Sequence, residues 1–326
     1  MKRVVSIGIV LAACGNSSTQ GPHDAAIDSH SIDAPVDAAI DAAPMPAGTV
    51  HYIIDHVMIP TTNAQARQYG LDLNADGTVD NQLGMVLAAF SNTGTPVQAG
   101  VDYAVDHGTS LQLAELVASS FTTAASATFT LYAGQNPNPT PCASGSDTIC
   151  RRHLHGTATF GVAATPRDTP LAGAIASGQL TAGPGHLSID IPIAISPPTP
   201  ITLIGARVAA SPNGLGIMTG VIDGGVTVSD VNTKIYPALQ GSINVQIGLD
   251  CPTPTSPPGC GCGNGTLGMT YVGLFDTNHD CTVSVDEIKN NSLIQSLFAP
   301  DVMLEGQSAL SFGFGFTAVE ATYVVN

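Results

Sequence analysis

The C-terminal stretch Leu310-Ser-Phe-Gly-Phe-Gly-Phe-Thr-Ala318 alternates bulky apolar residues with small or polar ones. Successive side chains of a β-strand point to opposite faces, so Phe312, Phe314 and Phe316 share one face and demand burial there. The glycines on the opposite face permit the close approach of another segment or strong curvature. A sheet that this C-terminal strand closes is therefore the simplest architecture.

The same two-residue period occurs in three earlier segments. Apolar and polar residues alternate around Phe129 and Leu131, from Leu154 to Val162, and from Leu187 to Ile193. Pro192 in the last segment predicts a strand end or an edge position, because proline cannot donate to the ladder. These patterns are typical of half-buried strands in an antiparallel sheet.

Other segments have a helical period. Apolar residues three and four positions apart begin at Leu83, at Val97 and at Val231, and Pro237 is expected to kink the third helix. Thr62 is the predicted N-cap of a further short helix. The predicted fold class is mainly β with helices (α+β), built on an antiparallel sandwich or a barrel-like sheet.

The segment Asp276-Thr-Asn-His-Asp-Cys-Thr-Val-Ser-Val-Asp-Glu287 has oxygen-bearing residues at the spacing of an EF-hand calcium loop. In that loop, side chains at positions 1, 3, 5 and 9, the carbonyl at position 7 and a bidentate carboxylate at position 12 bind the ion. The candidate ligands here are Asp276, Asn278, Asp280, Thr282, Ser284 and Glu287. Position 6, usually glycine, is Cys281, and its left-handed conformation costs about 1 kcal/mol. The exit helix is predicted to begin at Val285.

Another loop of the same type, Asp72-Leu-Asn-Ala-Asp-Gly-Thr-Val-Asp80, lies near the start of the globular region. In chain order, it is called the first polar loop and the Asp276–Glu287 loop the second polar loop. The candidate ligands of the first polar loop at positions 1, 3, 5, 7 and 9 are Asp72, Asn74, Asp76, Thr78 and Asp80. Position 12 is Leu83, so this loop resembles the dockerin-type variant without its acidic residue at that position. Weaker calcium affinity is expected unless another segment lends an oxygen. The alternative interpretation is a turn that binds no ion.

The two loops predict one or two calcium ions as the ligand of this protein. Calcium loops commonly pair through a backbone bridge at position 8, which here would join Val79 to Val283. The alternative is two independent loops at different edges of the sheet.

The N-terminus has the pattern of an export signal. Lys2 and Arg3 precede a short apolar run, and Leu11-Ala-Ala-Cys14 resembles the lipobox of bacterial lipoproteins. The resemblance implies removal of residues 1–13, lipidation of Cys14 and, with Gly15 next to it, an outer membrane location on the periplasmic or cell-surface face. Residues 14–48, rich in Asp, Ala and Pro, are predicted to be a disordered tether. Residues 49–326 are predicted to form a single globular domain.

The formal charge is −16, with only nine Lys and Arg in 326 residues. This excess of negative charge excludes nucleic acid as an expected partner, and it argues against binding to an anionic lipid surface. The predicted membrane contact is therefore the lipid at Cys14.

Six cysteines remain after Cys14, an even number that predicts three disulfides in an exported protein. Cys142 and Cys150 bracket a short loop and are expected to pair. The other four are Cys251, Cys260, Cys262 and Cys281. Cys281 is expected to pair with Cys260 or Cys262, and the remaining one with Cys251. A zinc site made of these four thiols is the alternative.

The segments Gly70 to Gly84 and Asp276 to Leu293 are similar to two segments of a group of uncharacterised bacterial lipoproteins with calcium-type loops. The resemblance extends over most of Tyr52 to Val319. It implies that the globular region is one unit, and it implies no activity.

Catalytic motifs are weak in this sequence. Gly263-Asn-Gly-Thr-Leu-Gly268 matches a dinucleotide-binding pattern but follows cysteines where the motif requires a strand. His153 and His155 would share one strand face, which is more often solvated than metal-binding. No catalytic residue is therefore assigned.

Two functions remain open. The favoured one is a calcium-binding surface lipoprotein that binds a protein, a glycan or a small apolar ligand; the alternative is a secreted hydrolase with structural calcium. A deep cavity inside the sheet would indicate ligand binding. A cleft in which His153 or His186 contacts a serine or a carboxylate would indicate an enzyme.

Overall fold

The strand with the alternating phenylalanines lies at the centre of the fold. The computed structural model describes residues 48–325, apart from 93–96, 148–149, 192–198, 214–215 and 253–259. In chain order the strands are β1 (Gly48–Met58), β2 (Gln112–Ala118), β3 (Ala124–Asn138), β4 (Thr159–Arg167), β5 (Leu171–Ala176), β6 (Gln179–Ala182), β7 (Leu187–Ile191), β8 (Thr199–Pro212), β9 (Ile217–Thr227), β10 (Val302–Leu304) and β11 (Gln307–Glu320). The predicted export signal, Cys14 and nearly all of the predicted tether lie outside the described residues.

Eight of these strands form a closed antiparallel barrel. Their order is β1, β2, β3, β5, β6, β8, β9 and β11, and β11 returns to β1 to close the ring. β4, β7 and β10 extend the sheet by pairing with β3, β8 and β11. The predicted class, mainly β with a barrel-like sheet and helices, is confirmed. Closure stabilises the ring strands because no backbone edge of the ring is left unpaired.

The helices are α1 (Asn63–Tyr69), α2 (Gln82–Asn92), α3 (Val97–Asp106), α4 (Val228–Asp230), α5 (Tyr236–Asp250), α6 (Leu267–Phe275), α7 (Val285–Asn290) and α8 (Ser292–Leu297). A π-helical turn, Val231–Ile235, joins α4 to α5. This turn lies directly before Pro237, whose missing N–H removes one α-helical hydrogen bond. The structure thus has a π-helical irregularity next to Pro237, and the predicted kink stays a prediction.

The inner surface of the barrel is filled by apolar side chains. Phe312, Phe314 and Phe316 are all buried, as predicted, and they belong to one core cluster with Tyr52 and Phe129. The cavity bordered by Leu131, Phe312 and α3 is about 30 Å³ and is mostly apolar. That volume is enough for about two water molecules and far below the roughly 300 Å³ of a small-molecule pocket.

The glycines of β11 lie on the outer face of the barrel, beneath α1 and α2. A Cβ atom at Gly313 would lie 2.4 Å from the Tyr69 carbonyl oxygen. The Asn81 side chain donates to the Gly313 carbonyl at 2.9 Å and accepts its N–H at 2.8 Å. The predicted close approach is therefore real, and it fixes the first polar loop against the barrel.

One strand is shorter than predicted. The segment from Leu154 to Ala158 forms turns, and β4 begins only at Thr159. The Ala158 N–H donates to the His155 carbonyl at 3.0 Å, which closes a turn around Gly156. His153 and His155 therefore do not share a strand face: His153 is buried, whereas His155 is exposed.

Candidate metal centres

The first polar loop connects α1 to α2, and its side chains accept hydrogen bonds from its own backbone. The Asp72 carboxylate accepts the N–H groups of Asp76, at 3.2 Å, and Gly77, at 2.9 Å. The Asn74 side-chain oxygen also accepts the Asp76 N–H, at 3.0 Å. Asp76 in turn accepts from the Thr78 N–H at 2.8 Å. The oxygens at positions 1, 3 and 5 are thereby held around one turn of chain.

The second polar loop connects α6 to α7 and repeats this arrangement. The Asp276 carboxylate accepts the N–H groups of Asp280, at 3.1 Å, and Cys281, at 2.9 Å. The Asn278 side chain accepts the Asp280 N–H at 2.9 Å. Asp280 accepts from the Thr282 N–H at 2.9 Å. Each of these bonds has its equivalent in the first loop.

The backbone conformations of the two loops agree as well. Position 4 is left-handed in both loops, with φ of 61° at Ala75 and 61° at His279. Position 6 is also left-handed, with φ of 85° at Gly77 and 69° at Cys281. Cys281 therefore adopts the conformation predicted for the usual glycine.

Hydrogen bonds set the ionisation of the carboxyl groups at position 5. The Thr78 hydroxyl and N–H lower the pKa of Asp76, and the Thr282 hydroxyl and N–H do the same for Asp280. Both carboxylates are exposed and stay ionised at neutral pH. Each loop therefore presents an ionised, solvent-facing carboxylate next to an amide oxygen, a donor set suited to a hard cation.

Position 12 distinguishes the two loops. The Glu287 carboxylate accepts the Thr277 N–H at 2.8 Å and the Ser284 N–H at 2.8 Å. Burial raises its pKa, but the hydrogen bonds from Ser284, Asn278 and Thr277 outweigh burial, so the pKa is lowered. Ser284 and Glu287 also form the capping box of α7, which begins at Val285 as predicted.

In the first loop, Leu83 at position 12 is buried in the core and offers no oxygen. The loop closes instead through Asp80. The Asp80 N–H donates to the Leu71 carbonyl at 2.9 Å, and the Asp80 carboxylate accepts the Leu73 N–H at 2.9 Å.

Two further carboxylates, which the sequence did not indicate, lie close to Asp80. Asp223 on β9 is fully buried and accepts the Leu71 N–H at 2.6 Å. Its pKa is raised well above the ordinary value, first by burial and then by the charges of Asp80 and Asp301. Burial also raises the pKa of Asp80, and the charges of Asp301, Asp76 and Asp72 add to this effect. For Asp223, the only indication in the sequence is an aspartate within the mostly apolar strand β9.

Position 8 of the second loop contacts α5. The Val283 N–H donates to Asn244 Oδ1 at 2.8 Å, and the Val283 carbonyl accepts from Asn244 Nδ2 at 2.7 Å and Gln240 Nε2 at 3.0 Å. Val79, position 8 of the first loop, is 45% exposed. The described residues contain no backbone bridge between Val79 and Val283. The predicted pairing of the two loops through position 8 is therefore wrong.

The disulfides follow the predicted pairing. Cys142 bonds to Cys150, and Cys281 bonds to Cys260, which leaves Cys251 bonded to Cys262. Two groups of possible metal-ligating side chains lie close together in the described chain, and each includes one of these disulfides: His107 with Cys142 and Cys150, and Asp276 with Cys260 and Cys281. The four cysteines of the zinc alternative are all bonded in disulfides, so they cannot supply the thiolates that a zinc site requires.

Of the two histidines considered for a hydrolase, one is buried among apolar groups and the other contacts a carboxylate. His153 is buried against Phe160, with ring centroids 6.3 Å apart. His186 Nε2 lies 2.8 Å from Glu305 Oε2, both side chains are exposed, by 51% and 40%, and Glu305 lines an open depression of about 310 Å³. No serine hydroxyl contacts His186 in the part of the chain that is described.

No family model matches this chain, and no curated protein or solved structure is significantly similar to it. Among the described residues, none of the helices has both the length and the apolar character that crossing a bilayer requires.

Proposed function

We propose that this chain is an exported calcium-binding protein that acts as a binding module. The observation that supports the proposal is the agreement between the two polar loops. They lie far apart in sequence and pack in different surroundings, yet they share the same left-handed positions and the same carboxylate-to-amide hydrogen bonds. Their shared donor set consists of oxygens, which hard cations prefer.

In the second loop the ion would be held by the six predicted ligands: Asp276, Asn278, Asp280, the Thr282 carbonyl, Ser284 and Glu287. In the first loop it would be held by Asp72, Asn74, Asp76, the Thr78 carbonyl and Asp80. Bound calcium would neutralise the clustered carboxylates of each loop. The second loop is expected to bind more tightly because it alone has a carboxylate at position 12.

The location proposed for this protein is the outer membrane, through a lipid at Cys14. The support lies in the sequence from Lys2 to Cys14, which has the order of charge, apolar run and small residues that a lipoprotein signal has. The ligand bound by the module is a protein or a glycan at its surface, in preference to a small apolar molecule. The filled barrel interior supports this preference, since its cavity of about 30 Å³ holds no such molecule.

A calcium titration tests the proposal. With dissociation constants on the order of 10⁻⁴ to 10⁻³ M, about 10 mM calcium stabilises each occupied site by about 1.4–2.7 kcal/mol. The melting temperature is then expected to rise by about 3–10 °C relative to protein in chelator. Magnesium at the same concentration is the control and is expected to have a smaller effect. Identical melting curves in calcium and chelator would refute the proposal.

A further inference from the structure

The peptide group between Thr282 and Val283 links the candidate ion to α5. Its carbonyl belongs to Thr282, the ligand at position 7, and its N–H belongs to Val283 at position 8. This peptide is trans, since the cis bonds in the described chain all precede proline. In a trans peptide the C=O and N–H bonds point in opposite directions. A group that accepts a hydrogen bond from the Val283 N–H therefore also fixes the direction of the Thr282 carbonyl.

Asn244 holds that N–H. Its Oδ1 accepts the Val283 N–H at 2.8 Å, so the Thr282 carbonyl points away from α5. Its Nδ2 donates to the Val283 carbonyl at 2.7 Å, and Gln240 adds a second donor at 3.0 Å. One side-chain amide thus offers the acceptor and the donor that a neighbouring β-strand would offer. Hydrogen bonding of the N–H also polarises the carbonyl of the same peptide.

The helix that carries Asn244 is itself fixed. Ile243 and Ile247 are buried on either side of it in sequence, and the Cys251–Cys262 disulfide ties the end of α5 to the chain before α6. Val283 is 1% exposed. Asn244 therefore has little freedom to move with the loop.

We propose that Asn244 is a positioning residue for calcium in the second loop, aiming the Thr282 carbonyl at the ion and replacing the partner loop that calcium loops commonly use. This inference rests on the calcium-binding function proposed above. It explains how the second loop can form without a partner loop, since side chains of α5 make the hydrogen bonds to the Val283 backbone.

The test uses the full chain carrying Asp76→Ala, which weakens the first loop so that the second dominates a titration. Asn244→Leu keeps the approximate shape of the side chain and removes both hydrogen bonds. Asn244→Asp keeps an acceptor for the Val283 N–H and loses the donor. Val245→Ala, at an exposed site on the same helix, is the matched control. Calcium affinity is measured by calorimetry, and terbium luminescence lifetimes count the waters on the bound ion.

Asn244→Leu is expected to raise the calcium Kd by about tenfold or more, and to add about one water to bound terbium because a carbonyl ligand is lost. Asn244→Asp is expected to stay within about threefold of the parent, and Val245→Ala to match it. A residue that acted only through packing would give the reverse order, because leucine fills the same space whereas aspartate places a charge there.

Three results separate the outcomes. If the parent binds calcium and Asn244→Leu binds equally well with unchanged hydration, the role of Asn244 is refuted and the proposed function stands. If the parent binds no calcium, both are refuted. If Asn244→Leu does not melt cooperatively in chelator, Asn244→Ala replaces it, with the same expected loss of affinity and the same overturning result.

Discussion

At the scale of single residues, Glu287 has two functions that a substitution can separate. Its carboxylate caps α7 and is the candidate bidentate ligand at position 12. Glu287→Gln keeps an oxygen for the capping box but loses the charge and one oxygen ligand. We expect calcium affinity at the second loop to fall by about tenfold or more, with a much smaller loss of stability in chelator. Asp286→Asn, an exposed neighbour outside the ligand set, is the control for calorimetry; equal losses in both variants would contradict the assignment.

His153 is the second residue with a measurable consequence. Burial lowers its pKa from 6.5 to about 4; the charges of Arg151 and His155 also lower it, whereas the Val105 carbonyl and Asp106 oppose them. The unfolded chain therefore binds a proton below pH 6.5 that the folded chain does not take up until about pH 4. Proton binding by the unfolded chain therefore lowers the free energy of unfolding as the pH falls below about 7. Above about pH 7 the imidazole is neutral in both states and this loss is absent.

Between pH 7 and pH 5 the His153 term is expected to cost about 2 kcal/mol. His153→Leu should remove that part of the pH dependence in urea unfolding, whatever its effect at pH 7. His155→Leu, at the exposed neighbouring histidine, should leave most of it in place, because the His155 charge has the smallest of these effects on the His153 pKa. The assignment fails if His153→Leu loses as much stability on acidification as the parent.

At the scale of elements, the Cys260–Cys281 disulfide substitutes for a missing glycine. Cys281 keeps a left-handed conformation with φ of 69° while its sulfur is bonded to Cys260. Closing a loop of this length stabilises the fold by about 3 kcal/mol in the chain-entropy model. The bond thus offsets the cost of a left-handed cysteine, about 1 kcal/mol.

A pair of double variants tests this. Cys260→Ser with Cys281→Ser is expected to lower the free energy of unfolding by about 3 kcal/mol and to weaken calcium binding. Cys260→Ser with Cys281→Gly is expected to be about 1 kcal/mol more stable than the first, because glycine adopts this conformation freely. Denaturant unfolding in chelator measures both. Equal stability of the two double variants would show that the conformation at position 6 carries no cost.

At the scale of the whole molecule, α1 packs on the barrel against the glycines of β11. Gly313→Ala places a methyl group 2.4 Å from the Tyr69 carbonyl oxygen, so α1 and the first loop must shift. We expect a loss of about 1–3 kcal/mol in unfolding free energy and weaker calcium binding at the first loop. Gly241→Ala, where no heavy atom lies near the new methyl group, is the control and should gain about 0.5–1 kcal/mol. If both variants unfold like the parent, the contact at Gly313 does not position α1.

The features that the sequence determined are local ones. The alternation in β11, the candidate ligands of both loops and the start of α7 at Val285 each depend on residues that are close in sequence. Their hydrogen bonds join groups only a few residues apart, so the side-chain types and their spacing were sufficient. The even number of cysteines, together with the predicted export signal, similarly predicted three disulfides, because exported proteins meet an oxidising environment.

The tertiary structure alone decided which long-range contacts complete these local features. Asn244 meets Val283 across 39 residues, and Asp223 meets Leu71 across 152. Cys281 could have paired with Cys260 or Cys262, and the fold selected Cys260. For an asparagine on a helix or an aspartate in a strand, no sequence pattern identifies the residue that it will contact. Such contacts depend on how the closed barrel and the surrounding helices pack, because burial of apolar faces, not spacing along the chain, brings these groups together.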